Sequence, residues 1–279
     1  MAAGPALGQT RPLPDRDAFL REVRTRLDTN DDRLSGYSYV ETTRRVKLDG
    51  GGRPAGESIR IAESYPGLPG EPRWERVLEE DGRRTPDADL RKLDLERQRK
   101  AEAYARRLPR QSDADRARDE REAAKRRAER AAQVDDVFRA FDITLLGRDM
   151  LDGHDTVVVS LTPRPDARTR TRLGGFLKFF RGRAWISESD HELARLEVET
   201  TRTVSVGLGL LGRVHEGTRA AFDRRRSADG AWLPTRSEYT FSGRFLLLRR
   251  IRQGGTILFS NYRRFTVDTS QTFSPSVAP

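Results

Sequence analysis

One glycine-rich run in this sequence has the spacing of a cofactor-binding loop. The segment from Gly207 to Gly212 matches G-x-G-x-x-G, a pattern that lets a backbone approach the pyrophosphate of a dinucleotide. Such a site also needs a helix directly after the glycines, inside a β-α-β unit. Here the chain continues through Arg213–Gly217 into another strand-like segment. We therefore predict a glycine-rich connection between strands and expect no cofactor.

The remaining chemistry-bearing residue types are scattered. His154, His191 and His215 are isolated and share no metal-ligand spacing. No nucleophile elbow, phosphate loop or pair of catalytic carboxylates is recognisable. The chain contains no cysteine, which excludes disulfides, thiolate metal sites and a cysteine nucleophile. The sequence thus predicts no metal site, no catalytic residue and no enzymatic activity.

The run from Arg168 to Arg183 interleaves five arginines and one lysine with three phenylalanines. Such a mixture can stack on single-stranded nucleic acid or contact anionic lipid head groups. It is also typical of a strand with a buried aromatic face and a basic outer face, which is the interpretation we favour, with lipid contact next. We predict a basic rim that meets a membrane or a partner, formed by Arg170, Arg172, Lys178 and Arg181.

Composition limits the size of the core and the classes of partner. Of the 279 residues, 35% are hydrophobic and 34% charged, so part of the chain must be solvated rather than packed. The net charge of +10 permits nucleic acid, anionic lipid or acidic proteins as partners without choosing among them. No run approaches the roughly 20 apolar residues of a membrane helix. Residues 2–9 resemble the end of a secretory signal peptide that lacks its charged and apolar parts.

Most of the elements that must position these residues are strands. Apolar and polar side chains alternate along Arg195–Val206 and Thr235–Ser242, which predicts antiparallel strands with one solvated face. A helix over Asp15–Asp28 with Asp15 as its cap precedes them. Residues 86–135 have helical composition, divided by Pro109, with mixed charges that argue against a nucleic-acid arm. The other predicted strands are Tyr37–Leu48, Ser58–Tyr65, Trp74–Glu80, Thr156–Leu161, Phe176–Ile186, Arg219–Arg226, Phe245–Ile251 and Thr256–Val267.

The order of these features resembles the LolA-like outer-membrane lipoprotein-sorting proteins, in a divergent form. The matching pieces are the N-terminal helix, the segment Tyr37–Glu41, the charged helical middle, and a series of later motifs. Those motifs are Trp185-Ile186, Leu193–Glu197, Gly212–Gly217, Trp232-Leu233-Pro234, Gly243-Arg244 and Tyr262–Phe265. The resemblance implies an α+β fold: a strongly curved antiparallel sheet, or incomplete barrel, with helices in or over its concave face. It also implies a periplasmic, non-enzymatic carrier that holds acyl chains in an apolar cavity.

The resemblance leads to a set of candidate ligand-binding residues on the inner face of the sheet. We predict that an apolar cavity is lined by Phe176, Phe180, Trp185, Val198, Val204, Tyr239, Phe241 and Leu247. The predicted partners are lipid or lipoprotein acyl chains and membrane-associated proteins, with no nucleic acid, and the predicted state is a monomer. Two alternatives remain open: a protein-interaction module of the same fold whose own side chains fill the cavity, and a basic nucleic-acid-binding protein in the cytoplasm.

The predicted domain organisation follows from the same patterns. Residues 1–14 are expected to be a disordered N-terminus or a signal-peptide remnant. Residues 15–272 form one LolA-like domain, with 86–135 as a charged helical insertion, and 273–279 form a disordered tail. The two tryptophan-centred phrases, at Trp185 and Trp232, are expected to mark hairpins of the sheet rather than a reactive site.

Overall fold

A 13-stranded antiparallel sheet carries most of this fold in the computed structural model, which describes residues 11–206, 212–245 and 249–264. The strands are β1 (Tyr37–Leu48), β2 (Pro54–Tyr65), β3 (Trp74–Glu80), β4 (Arg83–Arg84), β5 (Phe141–Leu151), β6 (His154–Pro163), β7 (Phe180–Ser187), β8 (Leu193–Thr200), β9 (Val204–Val206), β10 (Gly212–Val214), β11 (Arg219–Arg226), β12 (Trp232–Phe245) and β13 (Arg249–Arg264). The helices are α1 (Arg16–Leu34), α2 (Asp87–Arg107), α3 (Asp113–Ala140) and the short α4 (Gly174–Leu177), with a 3-10 turn at Leu108–Arg110.

The strands follow the order β4-β3-β2-β1-β13-β12-β11-β8-β7-β6-β5, and β9 and β10 extend the sheet beside β12. In the described residues, the two end strands β4 and β5 do not pair with each other, so the sheet is open rather than a closed barrel. The α+β class with a curved antiparallel sheet, predicted from the sequence, is confirmed.

The main core lies between two helices and one half of the sheet. Phe19, Leu20 and Val23 of α1 follow helical spacing and are almost fully buried. They pack with the last turns of α3 and with alternate residues of β5 to β8, including Val157, Val159, Ala184 and Ile186. The α1 helix begins as expected, because the Asp15 carboxylate accepts the main-chain N–H of Ala18 at 2.8 Å.

The second helix is held at the other end of the sheet by cation–π contacts. The guanidinium of Arg97 in α2 lies 4.5 Å from the ring centre of Tyr65 and 4.8 Å from that of Trp74. Arg76 adds ion pairs to Asp94 of α2 and to Glu63 of β2. This polar attachment suits a helix whose sequence offers few apolar side chains.

Several predicted elements differ from the structure in their boundaries, and three of the differences change which element a segment belongs to. Phe176 belongs to α4, and β7 begins only at Phe180, because the segment before it turns back to meet α3. The strand predicted over Arg195–Val206 is divided into β8 and β9 by residues 201–203. Of the strands predicted over 245–251 and 256–267, residue 245 ends β12, and residues 249–264 form the single long strand β13. Residues 246–248 and 265–267 lie outside the described residues.

The helical segment is divided near Pro109 as predicted, but α3 does not stop at residue 135. It continues to Ala140, and its last turns bring Val137 and Phe138 into the core. Residues 11 and 12 of the predicted disordered N-terminus contact the sheet through Arg148 of β5, whose guanidinium donates to both main-chain carbonyls. Residues 1–10 and the predicted tail 273–279 lie outside the described residues.

Candidate ligand-binding cavity

A cavity of about 840 Å³ opens on the sheet, and residues of seven adjacent strands line it. Those strands run from β6 through β7, β8, β11, β12 and β13 to β1. A single hollow can be bordered by both β6 and β1 only because the sheet curves between them. The charged lining residues are four arginines and three glutamates, Arg44, Arg181, Arg183, Arg219, Glu197, Glu199 and Glu238.

The strand register shows how these charges are arranged. One row of directly paired residues runs across the strands as Arg181, Glu199, Arg219, Thr240, Gly254 and Val46. A second row, two residues along each strand, runs as Arg183, Glu197, Ala221, Glu238, Thr256 and Arg44. Directly paired residues point to the same face of a sheet. The two rows therefore share one face, which we call the charged face.

The charges of this face are paired across the strands. Glu199 lies between two arginines, 2.6 Å from Arg181 and 3.1 Å from Arg219. The hydrogen bond from Arg181 is the main reason why the pKa of Glu199 is below its usual value. Arg183 is 3.6 Å from Glu197 in the next row. Because the three arginine side chains are solvent-exposed, each ion pair adds little stability. Their guanidinium groups are therefore available to a ligand.

A row of uncharged residues separates the two charged rows. The main chain between them passes through Gly182, Val198, Ala220, Tyr239 and Gly255, whose side chains belong to the opposite face. The ring of Tyr239 covers Gly255, where an added Cβ would lie 2.5 Å from ring atoms. A side chain at Gly255 would displace this ring, so a glycine is needed here for the Tyr239 ring to lie against the main chain of β13.

The structure distributes the predicted cavity residues over several places. Val198 and Tyr239 border the cavity, but by the strand register their side chains belong to the face opposite the charged face. Phe180 packs against the main core, and Val204 is buried. Phe176 is half-buried in α4, and Phe241 lies against Gly243 of its own strand. Leu247 lies outside the described residues.

Trp185 is buried, and its indole N–H donates to Asp149 at 3.0 Å. Its ring lies under the guanidinium groups of Arg183 and Arg195. Trp232 is bound in a similar way, since its indole N–H donates to Asp190 at 3.0 Å. An aspartate thus fixes each tryptophan, Asp149 of β5 for Trp185 and Asp190 of the β7–β8 turn for Trp232.

The predicted basic rim is also divided. Arg181 lines the cavity, whereas the side chain of Lys178 lies over the ring of Phe179. Arg170 and Arg172 are exposed in a loop that the buried carboxylate of Asp136 anchors. Asp136 accepts the main-chain N–H groups of Arg170 and Thr171 at 2.8 and 2.7 Å. No sequence pattern indicates this anchor, because a single aspartate in a charged helix is inconspicuous.

Sequence reasoning also missed the charged lining. Its signal is present in the alternation of Arg181 and Arg183 on β7 with Glu197 and Glu199 on β8, which become cross-strand pairs only in this register. The sequence cannot show that β1 borders the same cavity as β7 and β8.

The other candidate residues do not assemble into a reactive site. The ring of His191 packs against Phe19, that of His154 against Trp232, and His215 Nδ1 lies 3.3 Å from the Ser242 hydroxyl. Within the described ranges, no group of three or more metal-ligating side chains is found. The run Gly207–Gly212 leads from β9 into β10, which pair as antiparallel strands, where a dinucleotide site would need a helix. No helix in the described part of the chain is long and apolar enough to cross a membrane.

Comparison with known proteins places LolA-superfamily proteins among the solved structures that resemble this chain. No family model and no curated protein sequence matches it. A DUF1329 family protein from Desulfovibrio piger is 14% identical, with a TM-score of 0.31, and the match covers 92% of this chain and 94% of that one. A putative outer membrane lipoprotein-sorting protein domain from Vibrio parahaemolyticus is 10% identical, with a TM-score of 0.33 and coverages of 91% and 93%.

A third similar structure is the Pseudomonas aeruginosa MucA/MucB complex, at 11% identity and a TM-score of 0.25, with coverage of 91% of this chain and 100% of that one. LolA-superfamily proteins, which the sequence resembles, are thus among these neighbours. At such TM-scores, the likenesses carry no conclusion about what this chain binds.

Proposed function

We propose that this protein is a non-enzymatic binding protein of the periplasm that carries a lipid or a lipoprotein in the cavity on the sheet. The observation that supports this proposal is the cavity itself, which spans seven strands and has a volume of about 840 Å³. That volume lies within the roughly 300–1,000 Å³ of typical small-molecule sites. The described side chains offer this cavity positioned charges but no acid–base pair or metal site.

The lining suits an amphipathic ligand better than a purely apolar one. Ala221, Thr240, Gly254 and Thr256 form a patch of small, uncharged residues over β11 to β13, which borders Glu238. An acyl chain on this patch gains about 0.8 kcal/mol for each methylene that it buries. Arg181 and Arg219 lie beside the patch, and arginine stems also cover apolar surface while their charged ends stay in water. We therefore place an anionic head group near these two arginines.

A specific observation favours a second candidate, a protein-interaction module. The space between α1, α3 and β5 to β8 is filled by the protein's own side chains, including Phe138, Phe141 and Ile143. The open cavity instead carries cross-strand ion pairs. An acyl chain laid over them would remove these charges from water and would offer no hydrogen bonds in exchange. A polypeptide with complementary charges would avoid this cost.

Ligand capture separates the two candidates. The protein is purified under mild conditions, analysed by native mass spectrometry and extracted for lipids, and then titrated with a fluorescent fatty acid. The Ala221→Trp variant places an indole in the middle of the cavity, and Ala221→Ser leaves the space open at the same position. The carrier proposal expects the tryptophan variant to lose probe binding and the serine variant to keep it.

Two results would contradict the carrier proposal. One is the absence of both co-purified lipid and probe binding in a folded protein, which would favour the interaction module. The other is equal probe binding by the two Ala221 variants, which would place the lipid elsewhere. Retention of a nucleic-acid probe in a gel shift at about 150 mM salt would favour the third class, because purely electrostatic binding weakens steeply with salt. Cell fractionation tests the periplasmic location.

A further inference from the structure

Three arginines stand directly opposite one another on neighbouring strands at one end of the sheet. Arg213 of β10 pairs with Arg244 of β12, and Arg244 pairs with Arg250 of β13. Directly paired residues have their Cβ atoms about 5 Å apart and share one face. Arg252 follows two residues further along β13 on the same face, opposite Ser242. We call Arg213, Arg244 and Arg250 the arginine row.

The arginine row has no acidic counterpart in the part of the chain that the structure describes. No carboxylate there forms an ion pair or hydrogen bond with Arg213, Arg244 or Arg250. The Asp49 carboxylate on the adjoining β1–β2 turn accepts N–H groups of its own turn instead. Like charges directly opposite one another destabilise a sheet. Elsewhere on this face the same sheet places Glu199 between two arginines, so the row is a local exception.

An anion with several acceptor oxygens would relieve this repulsion. The guanidinium group presents a planar fork of N–H donors that matches phosphate, and it is more weakly hydrated than an ammonium group. Arg213 and Arg250 are exposed, and the row lies where β12 ends and β13 begins, outside the cavity. A surface that carries many phosphates in one plane therefore fits the row better than one small anion does.

We propose that the arginine row is a docking surface for a bilayer that contains anionic phospholipid. Its charge is complementary to such a surface, which attracts clustered basic residues. The connections that leave this end of the sheet, 207–211 and 246–248, lie outside the described residues, and by sequence they consist of leucine and glycine only. The row and Ser205, which lies opposite Arg213 on β9, contain no aromatic ring, whereas single-stranded nucleic-acid sites rely on stacking aromatics.

This surface is distinct from the ligand cavity. Of its strands, β12 and β13 also border the cavity, but no member of the arginine row lines it. Bilayer docking therefore stands independently of the cavity ligand, and the Ala221→Trp variant is expected to bind vesicles as the unaltered protein does.

Vesicle flotation tests the inference with the full chain. The probes are vesicles of phosphatidylcholine alone and vesicles in which about one third of the lipid is phosphatidylglycerol, in roughly 0.1 M salt, where charges are screened over about 10 Å. The protein is expected to float only with the phosphatidylglycerol vesicles. The triple variant Arg213→Gln, Arg244→Gln, Arg250→Gln is expected to bind at least about tenfold more weakly, since each arginine near an anionic surface strengthens binding several-fold.

Matched variants separate this site from general charge. A triple variant on the exposed part of α3, Arg121→Gln, Arg126→Gln, Arg127→Gln, removes the same charge and is expected to float normally. Replacement of the row by lysine keeps its charge and is expected to restore most of the binding. If the glutamine triple fails to fold by circular dichroism, the exposed single variants Arg213→Gln and Arg250→Gln carry the test.

Three outcomes would overturn the inference. The first is unchanged flotation of the folded arginine-row variants, and the second is an equal loss in the α3 control. The third is binding to a single-stranded oligonucleotide that depends on the row in the same salt while vesicles are ignored, which would assign the surface to nucleic acid.

Discussion

The Asp136→Asn substitution is expected to destabilise the protein strongly, although it changes only one atom of a side chain. Asp136 is fully buried at the end of α3, and one of its oxygens accepts both the main-chain N–H and the hydroxyl of Thr171, each at 2.7 Å. The other oxygen accepts the main-chain N–H of Arg170 at 2.8 Å, and this N–H also lies 3.1 Å from the first oxygen. These contacts hold the loop of residues 164–173 against the helix.

The size of the effect follows from these bonds. An asparagine oxygen can keep the two bonds from Thr171, but its NH₂ group then faces the Arg170 N–H, donor against donor. The Arg170 N–H then keeps only its longer contact of 3.1 Å with the asparagine oxygen, and this loss at a buried N–H costs about 1–3 kcal/mol. The two remaining bonds lose their charge assistance, at roughly 1 kcal/mol each. We expect Asp136→Asn to lower the free energy of unfolding by about 3–5 kcal/mol and the Tm by about 10 °C.

The neighbouring residue supplies the control. Asp135 makes a surface ion pair with Arg24, so Asp135→Asn is expected to cost less than about 1 kcal/mol. Both variants are unfolded with urea and followed by circular dichroism, and loop release is measured as trypsin cleavage at the loop arginines. Equal destabilisation by the two substitutions, or an Asp136 variant whose loop resists trypsin as before, would refute the reasoning.

The pH dependence gives a second measure of the same bonds. Burial alone raises the pKa of Asp136, but the hydrogen bonds from Arg170 and Thr171 outweigh it and hold the pKa below its usual value. A carboxyl with a depressed pKa contributes stability that is complete above its unfolded pKa of about 3.9 and is lost as the pH falls through its folded pKa. The gap between the unaltered protein and Asp136→Asn is therefore expected to stay constant from pH 7 to 5 and to narrow only below about pH 4.

Three further substitutions test other parts of the structure. Glu188→Gln removes the carboxylate that the guanidinium of Arg148 holds at a pKa of about 2, and should cost about 1–2 kcal/mol at pH 7; urea titrations should show this difference fading as the pH falls from about 4 towards 2. Gly182→Ala brings a Cβ closer than 3.0 Å to the Glu197 carbonyl oxygen, and thermal melts should show that the free energy of unfolding falls by about 1–3 kcal/mol. An unchanged Tm would mean that β7 and β8 can move apart at this position without cost. Arg97→Ala removes the cation that lies over the neighbouring rings of Tyr65 and Trp74, a contact worth about 1–2 kcal/mol, and faster hydrogen exchange in residues 87–97 but not in α1 is expected.

Local patterns allowed most strands to be predicted, because alternation and turn residues are properties of neighbouring positions. The bounds of β1, β3 and β11 agree with the prediction to the residue. The sequence predicts a strand that begins at Phe176, yet contacts with α3 hold this segment as a helical turn. Tertiary packing thus overrode a local preference.

The candidate site was harder to predict than the fold. Alternation along β8 correctly separates Val198 from Glu197 and Glu199, but it cannot say which side of a sheet will enclose space. That depends on the curvature of seven strands, which brings Arg44 and Arg183 to one hollow although they are distant in sequence. The anchor at Asp136 depends in the same way on a loop that returns to the helix.

The pairing of β1 with β13 has a consequence for how the chain is made. Tyr37 lies opposite Arg264, so the first strand finds this partner only after more than 220 further residues have been synthesised. Until then, β1 and β2 form a hairpin with an unpaired edge, and such edges are prone to join other chains. Folding that depends on so distant a pair is expected to be slow. During synthesis, the nascent protein is thus a natural client for a chaperone that shields the edge of β1.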